Sequence, residues 1–488
     1  MFPFLAFIAP LVMRAIPEIL MGPFVTGFDT LGYYVPNTLV WLRSGVGFWN
    51  FMGVAPFFYV LLMGVTSVGV PLVVSLKVLA PLLLSLLGVA VYFYANKKLS
   101  WSPKKSLLAV LFATLYFVAL RVSWDMLRSE LGLIFLFVTL IFLEKGGGSR
   151  RNRVLLSLAM LSVVFAHQLV AVIMFFIVLV TAARLCLDRK MVDALRLVVS
   201  SVPAVFLFLV IGYANYLVSP TFSVLNGFLG QESEGFMSLF GFTSYPSMVV
   251  NTLGFLVFCY LPLLPLVLLG VRKFKCNLQL KAWVFIALLL VLLSPNTFFA
   301  VFPYRWILLL TYPLAFYAAE AFVSFKLNAY KVCACLILAT FSLGFMVLPN
   351  NLAFPYYTLF PLYAPTSMLQ NTVPLSDCQD TVNALQWVRN NMHSDARLLV
   401  HDAFYGWASL TLDGDQLIPY EYDNPETVAQ ELVENGSRYQ LYLIWWVNGS
   451  GWHGQPTVSS AFGEVYESGR IAVYTYNSSV YPTSDSEH

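Results

Sequence analysis

Long apolar segments separated by short basic loops constrain this chain more than any other feature. A transmembrane helix needs about 20 mostly apolar residues. Charged residues make up only 11 % of the 488-residue chain and the mean hydropathy is +0.75, whereas a soluble domain carries roughly 25 % charged residues. Most of the surface must therefore face lipid. We predict spans at 2–20, 72–95, 105–122, 127–144, 153–167, 169–187, 195–217, 247–270, 281–294, 304–325 and 330–348.

The basic residues predict an orientation for these spans. Of the 28 Lys and Arg residues, 18 lie in loops that alternate along the series of spans. Because cytoplasmic loops are enriched in Lys and Arg, we expect a cytoplasmic N-terminus and an extracytoplasmic C-terminal region. The apolar stretch 54–70 would break this parity, so we interpret it as an interfacial or partly inserted part of a first outer loop at about 21–71. The sequence thus predicts a polytopic α-helical membrane protein with about 11 spans, and 11–13 spans are possible. Residues 153–187 could also form one long helix in place of two.

The residues after Leu348 have a different character. The first 348 residues carry 24 Lys and Arg against 10 Asp and Glu, whereas the last 140 carry 4 against 15. Such asymmetry indicates two environments. Strand-like runs alternate with helical patterns in this region, which predicts a small α/β domain with βαβ units. We therefore expect a membrane domain at 1–348 and an extracytoplasmic α/β domain at 349–488. The runs are strands at 397–402, 441–447 and 471–476 and helices at 380–391 and 425–434.

An aspartate beside the membrane is the first candidate functional group. Ionisable residues at membrane depth are costly and are functional candidates by default. Asp29 follows the first span, in the sequence GFDTLGYY. A carboxylate there could act as a general base or as a metal ligand. It could equally cap the helix that begins near Thr30.

Two further charged motifs lie on the predicted outer side. In RVSWDMLRSELG, Arg121 and Asp125 are spaced i,i+4 and Asp125 and Arg128 i,i+3, so they can share a helical face. They could combine a second acidic group with arginines that hold a phosphate, or form an ion-pair cluster between two spans; Glu130 is a further acidic candidate. Arg305, in FPYRW, could clamp a phosphate or extend toward the headgroups in an aromatic belt.

Three other residues are secondary candidates. His167, in FAHQLV, is the one histidine on the predicted outer membrane face, although a histidine there is commonly a core residue with satisfied nitrogens. Glu232 and Glu234 lie in the Gly- and Ser-containing stretch NGFLGQESEGF, which is typical of a solvated loop.

Together these motifs resemble the GT-C superfamily of membrane glycosyltransferases. That group includes the protein O-mannosyltransferases, the aminoarabinose transferases and the oligosaccharyltransferase catalytic subunits. The resemblance rests on GFDTLGYY, RVSWDMLRSELG and PYRWILLLTYP, and a final outer domain that opens with DTVNALQWVRNNMHSDARLLV also fits. The chain departs from the mannosyltransferases at Thr30, where an acidic residue is typical, and it lacks the WWDYG signature of oligosaccharyltransferases.

The resemblance implies an inverting transfer of a sugar from a polyprenyl-phosphate donor, such as a dolichyl-phosphate type, to a lipid, glycan or protein acceptor on the outer side. Asp29 would match the catalytic or metal-holding aspartate, and Asp125 or Glu130 the second acidic position. Arg305 would meet the donor phosphate, with Arg121 and Arg128 as further phosphate-binding candidates. A divalent cation, Mg²⁺ or Mn²⁺, held by Asp29 and Asp125 is the candidate cofactor.

Two other function classes compete with this interpretation. A transporter binds its substrate near the bilayer midplane, often between inverted repeats, whereas here the charges gather at one rim and the sequence has no internal repeat. A non-catalytic membrane subunit of cell-surface polysaccharide assembly would keep the fold and tolerate loss of the carboxylates. We expect no nucleic-acid partner, because the sequence offers no basic face outside the short loops.

Overall fold

The chain folds into two compact units. One, the membrane unit, comprises residues 1–20 and 46–368; the other, the sheet unit, comprises residues 21–45 and 369–488. Part of the predicted first outer loop, residues 21–45, thus belongs to the same unit as the C-terminal region. The computed structural model describes residues 1–143, 149–218, 245–274, 277–293, 303–349, 367–420, 424–434, 440–447 and 458–477.

The described part of the membrane unit is helical. By length and composition, 6 of its helices can cross a membrane, and up to 8 spans result if each of two bent helix pairs counts as one. The chain is therefore a multi-pass membrane protein, as predicted. The helices are α1 (Phe2–Leu20), α2 (Val35–Ser44, in the sheet unit), α3 (Phe48–Gly53), α4 (Phe57–Ser67), α5 (Leu72–Phe93), α6 (Pro103–Leu115), α7 (Phe117–Asp125), α8 (Leu127–Leu143), α9 (Arg150–Ala166), α10 (Gln168–Leu187), α11 (Met191–Val218), α12 (Tyr245–Tyr260), α13 (Leu264–Lys273), α14 (Leu278–Leu293), α15 (Pro303–Leu309), α16 (Thr311–Ser324) and α17 (Asn328–Val347).

Several predicted spans are shorter or less straight than the sequence suggests. Helices α8 and α9 have 17 residues each and α14 has 16, so the count of eleven stays a prediction. The predicted span 105–122 is bent by 58° between α6 and α7, and 247–270 is bent by 75° between α12 and α13. Pro262 lies at the second bend, where a missing N–H interrupts the helical hydrogen bonds.

Residues 153–187 form two helices, not one. The break is at His167, which has extended backbone angles (φ −162°, ψ 125°) between α9 and α10. The stretch 54–70, predicted as an interfacial segment, holds the short helix α4. Local breaks of this kind depend on tertiary packing, so hydropathy alone does not locate them.

The sheet unit contains a mixed five-stranded sheet with strand order β2-β1-β3-β5-β4. Strand β1 pairs in parallel with β2 and β3, so the predicted βαβ units are confirmed, whereas β5 pairs antiparallel with β3 and β4. The chain order is α18 (Leu375–Asn391), β1 (Arg397–His401), α19 (Asp402–Thr411), β2 (Leu417–Tyr420), α20 (Pro425–Glu434), β3 (Leu441–Trp446), β4 (Phe462–Ser468) and β5 (Ile471–Tyr476).

Residues 21–45 pack against α19 and the segment that precedes α18. The Asn371 side-chain amide donates to the Val25 carbonyl at 3.0 Å, and the Gly27 N–H donates to the Gln370 carbonyl at 3.1 Å. Gly406 in α19 lies so close to Leu31 that a Cβ at this position would overlap the Leu31 carbonyl group. The segment that carries Asp29 is thus fixed to the rest of the sheet unit.

Candidate functional site

Asp29 does not cap a helix. Its backbone is already helical (φ −60°, ψ −28°), its side chain makes no capping hydrogen bond, and a π-helical turn, Thr30–Tyr34, follows directly. The capping interpretation is therefore wrong, because the helical backbone begins before Asp29. The residue is half-buried and belongs to the sheet unit.

Arg121 and Asp125 form a buried ion pair in the membrane unit, as their i,i+4 spacing predicts. Both lie on α7, and their side chains are 3 % and 5 % exposed. The Arg121 guanidinium also lies 5.0 Å from the centre of the Trp124 ring and 6.0 Å from that of Tyr304. A carboxylate in such a contact holds the arginine in one orientation.

Asp125 and Arg128 do not share a helical face, contrary to the prediction. Helix α7 ends at Asp125, and Met126 has non-helical angles (φ −91°, ψ 49°). Arg128 instead lies in the first turn of α8, donates to the Val54 carbonyl and has its guanidinium 5.9 Å from the Tyr59 ring centre. The sequence spacing is misleading here because the helix breaks between the two residues.

Arg305 lies in the first turn of α15. Its Nε donates to the Tyr304 hydroxyl at 3.3 Å, and its guanidinium carbon is 5.8 Å from the Tyr304 ring centre. Trp306 is 1 % exposed and Tyr304 9 % exposed, so neither ring forms part of an aromatic belt that faces lipid. The structure thus gives no support to the interpretation of Arg305 as a belt residue.

Two arginines lie at Tyr304 and two lie near His167, and Arg305 belongs to both pairs. The guanidinium carbons of Arg121 and Arg305 lie 6.0 Å and 5.8 Å from the Tyr304 ring centre, and the buried His167 lies within electrostatic range of Arg128 and Arg305. The three phosphate-binding candidates, distant in sequence, are therefore brought together in the membrane unit. This cluster, which we call the arginine cluster, has the charge and the donor groups to hold a phosphate.

His167 is buried, as a core histidine would be, but only one ring nitrogen is satisfied. Its Nε2 lies 3.1 Å from the Ser129 hydroxyl. Its Nδ1 has no hydrogen-bond partner among the residues that the structure describes. The residue therefore adds a polar ring atom next to the arginine cluster.

A second buried charge cluster was missed by the sequence analysis. Arg14 is 0 % exposed, and its Nε donates to the Ser123 hydroxyl at 2.8 Å. Its Nη1 donates to Glu18 at 2.8 Å, and Lys77 Nζ lies 3.6 Å from the other Glu18 oxygen. The i,i+4 spacing of Arg14 and Glu18 inside an apolar helix is the signal that could have revealed it.

Glu130 belongs with this second cluster. It is completely buried, and its carboxyl group lies within electrostatic range of the Arg14 guanidinium and the Ser123 hydroxyl. Because Ser123 lies on α7, two residues after Arg121, the second cluster holds the helix that carries Arg121 and Asp125.

The described residues do not assemble a metal site. No three His, Cys, Asp or Glu side chains within the described ranges are placed to hold a cation. Asp125 is paired with Arg121, and Asp29 belongs to the other compact unit. A divalent cation held by Asp29 and Asp125 therefore stays a prediction. Glu232 and Glu234 lie outside the described residues.

Two solved structures share the architecture. No family model and no curated protein matches the sequence. A crystal structure of ArnT from Cupriavidus metallidurans bound to undecaprenyl phosphate matches with a TM-score of 0.53 and 14 % identity, over 97 % of this chain and 98 % of ArnT. The chain has the GT-C fold. A second GT-C structure, the arabinofuranosyltransferase AftD from Mycobacteria, matches with a TM-score of 0.52 and 13 % identity, over 96 % of this chain and 41 % of AftD.

Proposed function

We propose that this protein is a membrane glycosyltransferase that moves a sugar from a polyprenyl-phosphate donor to an acceptor on the outer side of the membrane. The observation that carries the proposal is the convergence of Arg121, Arg128 and Arg305 in a chain with the GT-C fold. ArnT, which shares that fold, was solved bound to undecaprenyl phosphate. The acceptor stays open among lipid, glycan and protein.

The proposed reaction is a single displacement with inversion. The acceptor oxygen attacks the anomeric carbon, its proton passes to a base, and the bond between that carbon and the phosphate oxygen breaks. The leaving group is the polyprenyl phosphate, and guanidinium groups fixed in advance would stabilise its developing negative charge. The arginine cluster supplies those groups.

The two aspartates receive different roles. Asp125 is held in a buried ion pair by Arg121, so its carboxylate is better placed to orient that arginine than to reach an acceptor proton. We therefore assign the base to Asp29, which serves no capping role. His167 and Glu130 are not needed for the proposed steps.

Arg305→Lys tests the phosphate role. Lysine keeps the positive charge but loses the planar fork that binds a phosphate with two hydrogen bonds. We expect the KM for the polyprenyl-phosphate sugar to rise about tenfold, the scale of one lost charge-assisted hydrogen bond. The measurement is transfer of radiolabelled sugar in isolated membranes, with expression checked by immunoblot.

Arg151→Lys is the matched control, because Arg151 is exposed at the start of α9, outside the arginine cluster. It should leave the KM unchanged. An unchanged KM in Arg305→Lys as well would show that Arg305 does not bind the donor.

A further inference from the structure

The membrane unit also contains an apolar groove, whose lining is mostly hydrophobic, unlike that of the arginine cluster. Helices α12, α13, α14 and α16 enclose about 900 Å³, near the upper end of the size range of ligand sites in proteins, roughly 300–1,000 Å³. The 75° bend between α12 and α13 makes this surface concave, since the two helices of the pair line it on either side of the turn.

The groove opens to the surface of the unit. Val257, Leu261 and Phe285 line it and are 58 %, 61 % and 58 % exposed. In a multi-pass protein such side chains face lipid, so the natural occupants of the groove are hydrocarbon chains.

One end of the groove carries positive charge. Lys281 is the one charged residue among the described residues that line it. Phe274 and Tyr317 also line it, with their ring centres 5.8 Å apart. Arg272 and Lys273, in the last turn of α13, add two further cations close to Phe274. The sequence has no Asp or Glu between Glu234 and Glu320, and Glu320 is paired with Lys105 at 2.5 Å.

We propose that this groove binds an anionic glycerophospholipid, with its phosphate at Lys281 and its acyl chains along α12, α14 and α16. Charge complementarity favours an anionic headgroup, because Lys281 lines the groove, Arg272 and Lys273 directly precede the lining residue Phe274, and Glu320 of α16 is already paired with Lys105. A basic pocket between transmembrane helices is a recognised form of anionic lipid site. The pattern of basic loops predicts that Lys281 lies at the cytoplasmic leaflet. Arg305, which is proposed to bind the donor phosphate, is predicted to lie on the outer side. With that orientation the phosphate of this lipid lies in the leaflet opposite the donor phosphate, and the proposal does not depend on the proposed activity.

Retention of defined lipids by the purified full-length protein tests this proposal. The protein is mixed in detergent with equal amounts of dioleoyl-phosphatidylglycerol and dioleoyl-phosphatidylcholine, and bound lipid is counted by native mass spectrometry. We expect phosphatidylglycerol to be retained in preference. Lys281→Gln should lower its retention about fivefold, the effect of one lysine near an anionic membrane surface, and Val284→Trp, which fills the groove, should also lower it.

Lys190→Gln is the matched control, because Lys190 is an exposed lysine of another predicted cytoplasmic turn; it should retain phosphatidylglycerol as the unchanged protein does. Equal retention of the two lipids, or an equal loss in Lys190→Gln, would overturn the proposal. Displacement of the bound phospholipid by undecaprenyl phosphate would also overturn it and would assign the groove to a polyprenyl chain. None of these readouts requires sugar transfer, so a failure here is distinguishable from a failure of the proposed function.

Discussion

At the residue scale, the backbone at Asp29 decides between two explanations of one carboxylate. A capping aspartate can be replaced by asparagine with little effect, because both side chains accept the same hydrogen bond. The backbone at Asp29 is already helical and its side chain makes no capping hydrogen bond. Asparagine at this position therefore changes no capping contribution to the stability of the fold. The charge and the proton-accepting oxygens are what the substitution Asp29→Asn removes.

We expect Asp29→Asn to lower the transfer rate by about 10²-fold or more, the usual contribution of a general base, and to leave the unfolding temperature unchanged. Asp395→Asn, an exposed carboxylate of the same unit, is the matched control and should keep full activity. The assay is transfer of labelled sugar by purified protein, with thermal unfolding measured on the same samples. Near-normal transfer by Asp29→Asn would remove Asp29 from the catalytic residues and favour Asp125.

The Arg14–Glu18 pair yields a prediction about stability. Removal of one partner of a buried pair leaves an uncompensated charge, which costs roughly 3–5 kcal/mol. Lys77 stays 3.6 Å from Glu18 when Arg14 is removed, so we expect Arg14→Met to destabilise the protein by less than that full amount. The double variant Arg14→Met/Glu18→Gln should cost less than the sum of the single changes. The measurement is unfolding by sodium dodecyl sulfate in mixed micelles.

The exposed pair of Arg184 and Asp188 is the matched control, since it has the same i,i+4 spacing with side chains 63 % and 40 % exposed. Its removal should cost about 1 kcal/mol or less. If the single and double changes at Arg14 and Glu18 are strictly additive, the pair is not coupled as the structure indicates.

At the scale of elements, the close approach of α19 to the segment that carries Asp29 depends on Gly406. Alanine at this position would overlap the Leu31 carbonyl group, which is backbone and has little room to move. We expect Gly406→Ala to destabilise the sheet unit by about 1–3 kcal/mol, the usual cost of overpacking, and to lower transfer because Leu31 lies two residues from Asp29. Thermal unfolding followed by circular dichroism measures the first effect.

Gly414→Ala serves as its control. Nothing lies within 4 Å of the Cβ that this change adds, so stability should stay the same or rise slightly. Equal stability of Gly406→Ala and the unchanged protein would contradict the packing of α19 against residues 21–45.

The elements that the sequence predicts well are those with a strong local signal. Helix α20 has the predicted bounds, and the Asn424 side chain just before it accepts a hydrogen bond from the Glu426 N–H at 3.0 Å. The sequence does not predict strand β4 because FGEVYES has few apolar residues and only Phe462 of it is buried. The positive φ of Gly469 (56°) marks the turn between β4 and β5. Such a strand is fixed by its pairing with β5, which sequence pattern does not record.

The same distinction applies to the site. The Arg121–Asp125 pair follows from i,i+4 spacing, because both residues lie on one helix. The contact of Arg14 with Ser123 joins residues 109 positions apart, and the convergence of Arg128 and Arg305 on His167 depends on the packing of separate helices. Non-local contacts of this kind follow from the fold and not from any motif.

At the scale of the whole molecule, the orientation in the membrane is a prediction of the basic loops. Single cysteines at Ser149 and Ser460, introduced into a variant without the native cysteines, should react with a membrane-impermeant maleimide from opposite sides of sealed cells. We expect Ser460→Cys to react from outside and Ser149→Cys only after the cells are opened, because cytoplasmic loops are rich in Lys and Arg. Reaction of both from the same side would overturn the span count and the outer placement of the site.

Transfer from a defined donor tests the central claim most directly. The purified protein is reconstituted into vesicles with a polyprenyl-phosphate-linked, radiolabelled sugar and a membrane extract as the source of acceptors, and release of free polyprenyl phosphate is measured together with the labelled product. We predict that both appear in equal amounts with the unchanged protein and that neither exceeds background with the Arg305→Lys, Asp29→Asn double variant. Transport of the intact labelled donor across the bilayer, with its sugar still attached, would contradict the assignment of a glycosyltransferase.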